Sequence, residues 1–298
     1  MQSGPIASQV DKLKAQLIAP LRDDHRHQGN RARVSEARRR RCGAAGLAGR
    51  IGMHETVEIE TPDGVANAYL TRPDGEPHPG VLFIPDAFGL RPAIEQMADR
   101  VAAGGYVVLA PNVFYRAGRA PVEELVGPVG GENRAGAFQA VLPLIKELTP
   151  ERIAADGGAY LGYLEQVAAP GPVGVTGYCM GGRLAWRIAA THPGRVAALA
   201  AFHTAGLVSD DPGSTHLTAA GLGPVEAYFG FADEDTGATP EQIAELRQAL
   251  DAAGVRYTAE VFEGAHHGYA VPDAPAYDQA ASERQFRELF ALLQRRVG

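Results

Sequence analysis

The chain has little cysteine, with Cys42 and Cys179 as the two thiols among its 298 residues. Two widely separated thiols do not make a disulfide framework, and no secretory signal with an apolar core is apparent. We therefore expect a reducing, cytoplasmic location, where a free thiol can take part in chemistry. No apolar run approaches the ~18 residues that a membrane-spanning helix needs, so we expect no association with a membrane.

Aromatic residues are absent from residues 1–52, which carry eleven Lys and Arg against four Asp and Glu. The rest of the chain has an excess of fourteen acidic residues, and such an acidic body argues against a nucleic-acid surface on the folded part. Met53 opens the first strand-like pattern. Residues 1–52 are therefore predicted to be a basic, disordered extension or to precede the true start at Met53, with a functional basic tail as the alternative. Residues 53–298 are predicted to form a single domain.

Short apolar runs and helical patterns alternate beyond residue 53. Residues 55–61 and 65–71 flank a Pro-Asp-Gly turn signal and predict an antiparallel hairpin, and a helical stretch is expected over 138–168. Core strands are predicted at 81–84, 106–110, 172–178, 196–202, 225–231 and 256–262. This order predicts an α/β fold, a mostly parallel doubly wound sheet flanked by helices, with an antiparallel N-terminal hairpin. Ligands of such sheets bind at the carboxyl ends of the strands.

A nucleophile elbow is predicted where the strand at 172–178 meets a helix at 182–191. The Gly-Tyr-Cys-Met-Gly-Gly sequence at 177–182 has the Gly-x-nucleophile-x-Gly spacing of α/β-hydrolases, with cysteine where serine is usual. The glycines are needed because the nucleophile adopts a strained backbone conformation at a sharp turn. The turn directs the thiol of Cys179 to a helix N-terminus, where the helix dipole favours thiolate.

A histidine and a carboxylate follow in the order expected for this fold. In the loop after the last strand, His267 fits a Gly-x-x-His-Gly-aromatic pattern better than His266 does. Three acidic residues follow the strand at 225–231, and Asp233 is preferred because it lies three residues after Gly230. Asp235 is the second choice. His203, at another strand end, is either a pocket residue or a histidine whose hydrogen bonds are satisfied within the fold.

These residues predict nucleophilic catalysis by Cys179, with His267 as general base and Asp233 holding the imidazole in the right tautomer. The oxyanion hole is predicted from the backbone N–H of Met180 and that of Ala87, in the loop after the strand at 81–84. A metal site is not expected, because His266 and His267 are adjacent and no HExxH-type set occurs.

The motifs resemble those of the dienelactone hydrolase family over residues 53–298. They are Gly-Tyr-Cys-Met-Gly-Gly at 177–182, Pro-Asp-Ala-Phe-Gly at 85–89, Ala-Pro-Asn-Val-Phe-Tyr-Arg at 110–116, Gly-x-x-Asp at 230–233 and the loop with His267. The resemblance implies a cofactor-free hydrolase of a cyclic enol ester, a dienelactone, that is a monomer or a weak oligomer. It also implies a small-molecule ester or lactone as the binding partner.

The resemblance assigns further roles. Asp86 occupies the position of a family glutamate that helps to generate the thiolate, one methylene shorter, with an Asx turn as its alternative role. Arg116 matches an arginine that binds the substrate carboxylate, with a solvated loop charge as its alternative. A second such arginine is replaced here by Val271.

Other functions are compatible with the same residues. The substrate of the hydrolase could be an uncharged ester or thioester rather than an anionic lactone. In a different class, the protein could be a redox-responsive or non-catalytic member of the fold in which Cys179 is oxidised.

Overall fold

A computed structural model describes residues 51–75, 77–122 and 134–298 of the chain. Its strands are β1 (Ile51–Thr61), β2 (Gly64–Pro73), β3 (Gly80–Ile84), β4 (Val107–Pro111), β5 (Val173–Tyr178), β6 (Val196–Phe202), β7 (Glu226–Ala232) and β8 (Arg256–Phe262). The helices are α1 (Pro92–Ala103), α2 (Arg134–Glu147), α3 (Pro150–Val167), α4 (Met180–Thr191), α5 (Pro240–Ala252) and α6 (Gln279–Arg296), and a 3-10 helix spans Thr215–Leu222. The prediction for residues 1–52 falls outside this description except at residues 51 and 52, which belong to β1.

The described strands form one eight-stranded sheet in the order β1-β2-β4-β3-β5-β6-β7-β8. β1 pairs antiparallel with β2, and β2 pairs antiparallel with β4. All pairings from β4 to β8 are parallel. The predicted fold class is confirmed: a mostly parallel sheet that begins with an antiparallel hairpin.

Two apolar layers cover the sheet, one on each face. α1 and α6 pack on one face, where Ile94, Met97 and Leu289 are buried. α3, α4 and α5 pack on the other, where Leu161 and Trp186 are buried. β3, β5 and β6 are buried along their whole length, as strands covered on both faces should be. None of the helices in the described ranges is both long and apolar enough to span a membrane.

The predicted helical stretch at 138–168 is two helices, α2 and α3, which corrects that prediction. Thr149 has extended backbone between them, and its hydroxyl accepts a hydrogen bond from the N–H of Arg152 at 3.3 Å. Pro150 occupies the first turn of α3, where its missing N–H costs nothing. A cap and a proline at this point start a new helix rather than continue the old one.

Candidate active site

Cys179 lies at a sharp turn between β5 and α4. Its φ of 53° and ψ of −120° are rare for a residue with a side chain. A Cβ built on Gly177 would lie 2.2 Å from the carbonyl oxygen of Gly181, and one built on Gly181 would lie 2.2 Å from that of Pro85. The two glycines therefore permit the chain to turn within one residue, as the elbow motif predicts.

The cysteine and the histidine expected at the site are in contact. The Nε2 atom of His267 lies 3.1 Å from the Sγ atom of Cys179. On the other side of the ring, Nδ1 lies 2.7 Å from an Oδ2 atom, which belongs to Asp235. All three residues are buried. The arrangement is a hydrogen-bonded series of carboxylate, imidazole and thiol.

Asp233, the preferred acid in the sequence prediction, is not the carboxylate beside His267. Its Oδ2 accepts from the N–H of Gly264 at 2.8 Å and its Oδ1 from that of Glu234 at 3.0 Å, so it joins the loops after β7 and β8. The prediction counted three residues from Gly230, but β7 continues to Ala232. Asp235, the second choice in the sequence prediction, lies three residues after the true end of the strand.

The electrostatics of the site favour a charged imidazole. Burial disfavours the charge on His267, but the charges of Cys179 and Asp235 and the hydrogen bonds to both outweigh it and raise the pKa of His267 well above its usual value. Because the ring keeps its proton to higher pH, it can hold the proton that the thiol gives up.

A second buried histidine packs against the first. The ring of His203 meets that of His267 edge-on, with their centroids 5.3 Å apart. Within the described part of the chain, neither ring nitrogen of His203 has a hydrogen-bond partner, so it is not a histidine whose hydrogen bonds are satisfied. Burial, and then the charge of His267, lower the pKa of His203 well below its usual value. The neutral form of His203 is therefore favoured, and its ring packs against that of His267.

The predicted oxyanion donors follow neighbouring strands. Met180 is the first residue of α4, and amides in the first turn of a helix have no intrahelical acceptor. Ala87 is buried in the loop after β3. Because Ile84 of β3 is opposite Gly177 of β5 in a parallel pairing, the two loops leave the sheet side by side. This placement is compatible with two amides that face one oxygen.

Asp86 pairs with Arg91 and not with the thiol. The Nη1 and Nη2 atoms of Arg91 lie 2.7 and 3.0 Å from the two carboxylate oxygens of Asp86. Asp86 also accepts from the N–H of Phe88 at 2.9 Å, which is the Asx turn considered as its alternative role. Arg91 contacts Asp273 as well, at 2.8 Å. The expected contact of Asp86 with Cys179 does not occur, because the arginine occupies both oxygens.

We expect the substitution Arg91→Met to lower the free energy of unfolding by about 3 kcal/mol, because it leaves the buried Asp86 carboxylate without its cation. The side chains of Arg91 and Asp86 are each 9% exposed. The matched control is Arg72→Met. The side chains of Arg72 and its partner Glu55 are 34% and 45% exposed, so this substitution should lower the free energy of unfolding by less than about 1 kcal/mol. Urea unfolding measures both. Equal losses in the two variants would contradict the structural role of Arg91.

Arg116, the predicted substrate anchor, is engaged elsewhere. Its Nη1 and Nη2 atoms lie 2.7 and 2.9 Å from the carboxylate of Asp156, its Nε lies 2.9 Å from Asp63, and it stacks 4.4 Å from the ring centre of Tyr115. Two carboxylates and a ring satisfy the guanidinium. Arg116 therefore fastens the loop after β4 to α3 and to the first hairpin. Val271, in place of the second anchor, is buried.

A cavity of about 430 Å³ opens beside the elbow, and we call it the side cavity. It lies between α2, α4 and the loop after β6. Its lining includes Phe138, Leu142, Met180, Arg183, Leu184 and Arg187. Its volume suits a small-molecule ligand. Arg183 was missed by the sequence prediction, although its position four residues after Cys179 places it on the same helix face.

No group of three or more His, Cys, Asp or Glu side chains that could hold a metal ion occurs in residues 51–75, 77–122 and 134–298. The residues around Cys179 are those of acyl transfer: a thiol, a base, a carboxylate and amide donors.

Comparison with known proteins identifies a family. The model of the dienelactone hydrolase family matches residues 66–297. A carboxymethylenebutenolidase homolog of Mus musculus is 27% identical over 222 residues, which cover 73% of this chain and 80% of the mouse protein.

Solved structures have the same fold. A dienelactone hydrolase-like promiscuous phosphotriesterase from metagenomic libraries has a TM-score of 0.68 at 20% identity, covering 83% of this chain and 100% of its own. An acylaminoacyl peptidase of Pyrococcus horikoshii has a TM-score of 0.55 at 15% identity, covering 83% of this chain and 42% of its own. At these identities the likeness shows the α/β-hydrolase fold.

Proposed function

The chain belongs to the dienelactone hydrolase family and is a carboxylic ester hydrolase, and on this premise we propose that it hydrolyses a small ester or lactone through a thioester on Cys179. Cyclic enol esters of the dienelactone type are the proposed substrate class. The observation that carries the proposal is the series Asp235–His267–Cys179, with contacts of 2.7 and 3.1 Å.

In the first half-reaction, the sulfur of Cys179 attacks the carbonyl carbon of the ester. The carbonyl oxygen becomes an oxyanion that the N–H groups of Met180 and Ala87 stabilise. The tetrahedral intermediate then collapses, the C–O bond to the leaving oxygen breaks, and that oxygen takes the proton from His267. In a lactone, the leaving oxygen stays attached to the acyl chain, so the ring opens while the acyl group remains on sulfur.

In the second half-reaction, water attacks the thioester. His267, now neutral, accepts the proton of the water, and the C–S bond breaks to release the carboxylic acid. The thiolate and the protonated imidazole are restored. Asp235 keeps Nδ1 of the ring protonated throughout, so that Nε2 faces the sulfur and the reacting oxygen.

Trapping the acyl group tests this function. The full chain is mixed with a p-nitrophenyl ester, quenched in acid within one turnover, digested and analysed by mass spectrometry. The expected result is an acyl adduct on the peptide with Cys179 and none on the peptide with Cys42. Hydrolysis by the protein without an acylated Cys179 peptide would contradict the proposal. An added oxygen atom on Cys179 in place of the acyl group would support the redox-responsive alternative instead.

A further inference from the structure

Two arginines follow the nucleophile along α4. Arg183 and Arg187 come four and eight residues after Cys179 and lie about one turn apart on the same face of α4. Both arginines line the side cavity, together with Met180. The two arginines therefore line a cavity that also borders Met180, the residue after the thiol.

Neither arginine is ion-paired in the described part of the chain, unlike Arg91 and Arg116. The Nε atom of Arg183 is buried and has no hydrogen-bond partner there. Arg187 donates to the backbone carbonyl of Gly213. Burial lowers the pKa of Arg187 and the charge of Glu151 opposes this effect, although the two form no ion pair in the described residues. A buried donor without an acceptor is costly to a fold, and a carboxylate that reached the Nε–H of Arg183 would remove this cost.

The two positive charges also repel each other, because residues four apart on a helix are neighbours. Burial lowers the pKa of Arg183, the charge of Cys179 opposes this effect, and the charge of Arg187 adds to it. Arginine stays protonated at neutral pH despite such shifts. The fold thus holds two like charges close together where an anion can bridge them.

Three carboxylates also line the side cavity: Asp210, Asp211 and Glu245. Two of them contact other residues. Asp211 accepts from the N–H of Gly213 at 2.7 Å, and Glu245 contacts the ring of His216 at 3.3 Å. Asp210 is exposed to solvent. None of these carboxylates forms an ion pair with Arg183 or Arg187 in the described residues, so the guanidinium groups stay available to a ligand.

The lining also includes the cation Lys146 and polar residues such as Ser209 and Gln242, but a large part of it is apolar. Phe138, Leu142 and Ile145 of α2, with Ile153 and Leu184, form the wall that faces the arginines. A ligand that fits this cavity has an apolar body and an acidic end.

We propose that Arg183 and Arg187 form the acid-binding subsite of the enzyme and select esters whose acyl chain has an apolar spacer ending in a carboxylate. The inference rests on the proposed function of Cys179. It assigns recognition of the acid to the elbow helix in place of Arg116. Arg183 binds the carboxylate through its planar fork, and Arg187 supplies a second charge at the outer end of the side cavity.

The spacing along α4 sets the length of the ligand. Arg183 lies about 6 Å along the helix axis from Cys179, at about 1.5 Å per residue, and helical side chains lean toward the N-terminus. A spacer of about four methylenes matches this separation, so mono-p-nitrophenyl adipate and neutral p-nitrophenyl hexanoate are a suitable pair of probes.

The test is the ratio of kcat/KM for the adipate monoester to kcat/KM for the hexanoate ester, measured on the full chain. We expect the ratio to exceed one in the unmodified enzyme. The substitution Arg183→Gln should lower it about ten- to a hundredfold, as expected for loss of a charged hydrogen bond, mainly through KM for adipate. Arg183→Lys should restore part of the ratio, because it keeps the charge but not the fork.

The matched controls are Arg152→Gln and Arg116→Gln. Arg152 lies on α3 and is paired with Glu147. Both variants should leave the ratio unchanged. Should Arg183→Gln fail to fold by circular dichroism, Arg187→Gln replaces it, since Arg187 also lines the side cavity; it is expected to lower the ratio several-fold.

The inference is overturned when the unmodified enzyme hydrolyses both esters with a ratio at or below one, or when Arg116→Gln lowers the ratio and the Arg183 and Arg187 variants do not. These outcomes differ from failure of the proposed function. In that case the unmodified enzyme acylates Cys179 with neither ester.

Discussion

Replacement of Cys179 by alanine is expected to lower kcat/KM for an activated aryl ester by at least about a thousandfold, because the nucleophile of a covalent mechanism is lost. The remaining rate comes from binding and from the oxyanion donors Met180 and Ala87. Steady-state hydrolysis of p-nitrophenyl acetate, corrected for the spontaneous reaction, measures the effect.

The control for this substitution is the other thiol of the chain. Cys42→Ser removes it and should leave kcat/KM unchanged. The Cys179→Ala variant should remain folded, because one buried sulfur is lost from a position whose backbone Gly177 and Gly181 already permit. Thermal unfolding by circular dichroism checks this. Undiminished turnover by a folded Cys179→Ala protein would exclude Cys179 as the nucleophile.

Serine at the same position provides a graded comparison. We expect Cys179→Ser to be slower than the unmodified enzyme, because a hydroxyl is deprotonated far less readily than a thiol at neutral pH and depends more on the base His267. A serine variant as fast as the cysteine enzyme would show that catalysis at this site does not depend on thiolate formation.

The elbow could be predicted from the sequence because its constraints are local. Gly177 and Gly181 lie two residues from Cys179, and the contacts that exclude a Cβ at both positions involve the turn itself and the neighbouring strand. The strand–turn–helix pattern and the order of nucleophile, acid and histidine then indicate the fold. These features of the chain depend on spacing, which a sequence shows directly.

The carboxylate in contact with His267 is Asp235 rather than the predicted Asp233, because the prediction depends on where a strand ends. Gly230 is a plausible strand terminus by composition, but the chain remains paired with β8 up to Ala232. Glu234 then takes a positive φ of 51°, which turns the chain and separates the directions of Asp233 and Asp235. Hydrogen bonding across strands decides this point, and the sequence does not show it.

The roles of Asp86 and Arg116 could not be predicted for a related reason. A charged side chain is available to a substrate only when no other residue neutralises it. Arg116 meets Asp156 from forty positions along the chain, and Arg91 joins Asp86 to Asp273. Matching motif positions identifies the residue type but not its partner. That Arg183 and Arg187 line the side cavity without an ion pair among the described residues is seen only in the structure.

A pair of aspartate substitutions separates the two candidate acids. We expect Asp235→Asn to lower kcat about a hundredfold or more, because an amide can hold His267 in the wrong tautomer and cannot stabilise its charged form. Asp233→Asn is the matched control, and kcat should stay within about threefold, since its role is to accept two backbone hydrogen bonds and the amide oxygen keeps one of them. The reverse ranking would return the catalytic role to Asp233.

The pH profile distinguishes loss of the charge of Asp235 from loss of its structural role in the loop after β7. The charge of Asp235 is one of the causes that raise the pKa of His267, so removing it lowers that pKa. Since the charged ring protonates the leaving oxygen, activity falls as the pH rises through the pKa of His267. The alkaline limb of the kcat profile should therefore move to lower pH in Asp235→Asn and stay in place in Asp233→Asn. A uniform loss of rate with an unmoved alkaline limb would show that Asp235 serves only to hold the loop after β7.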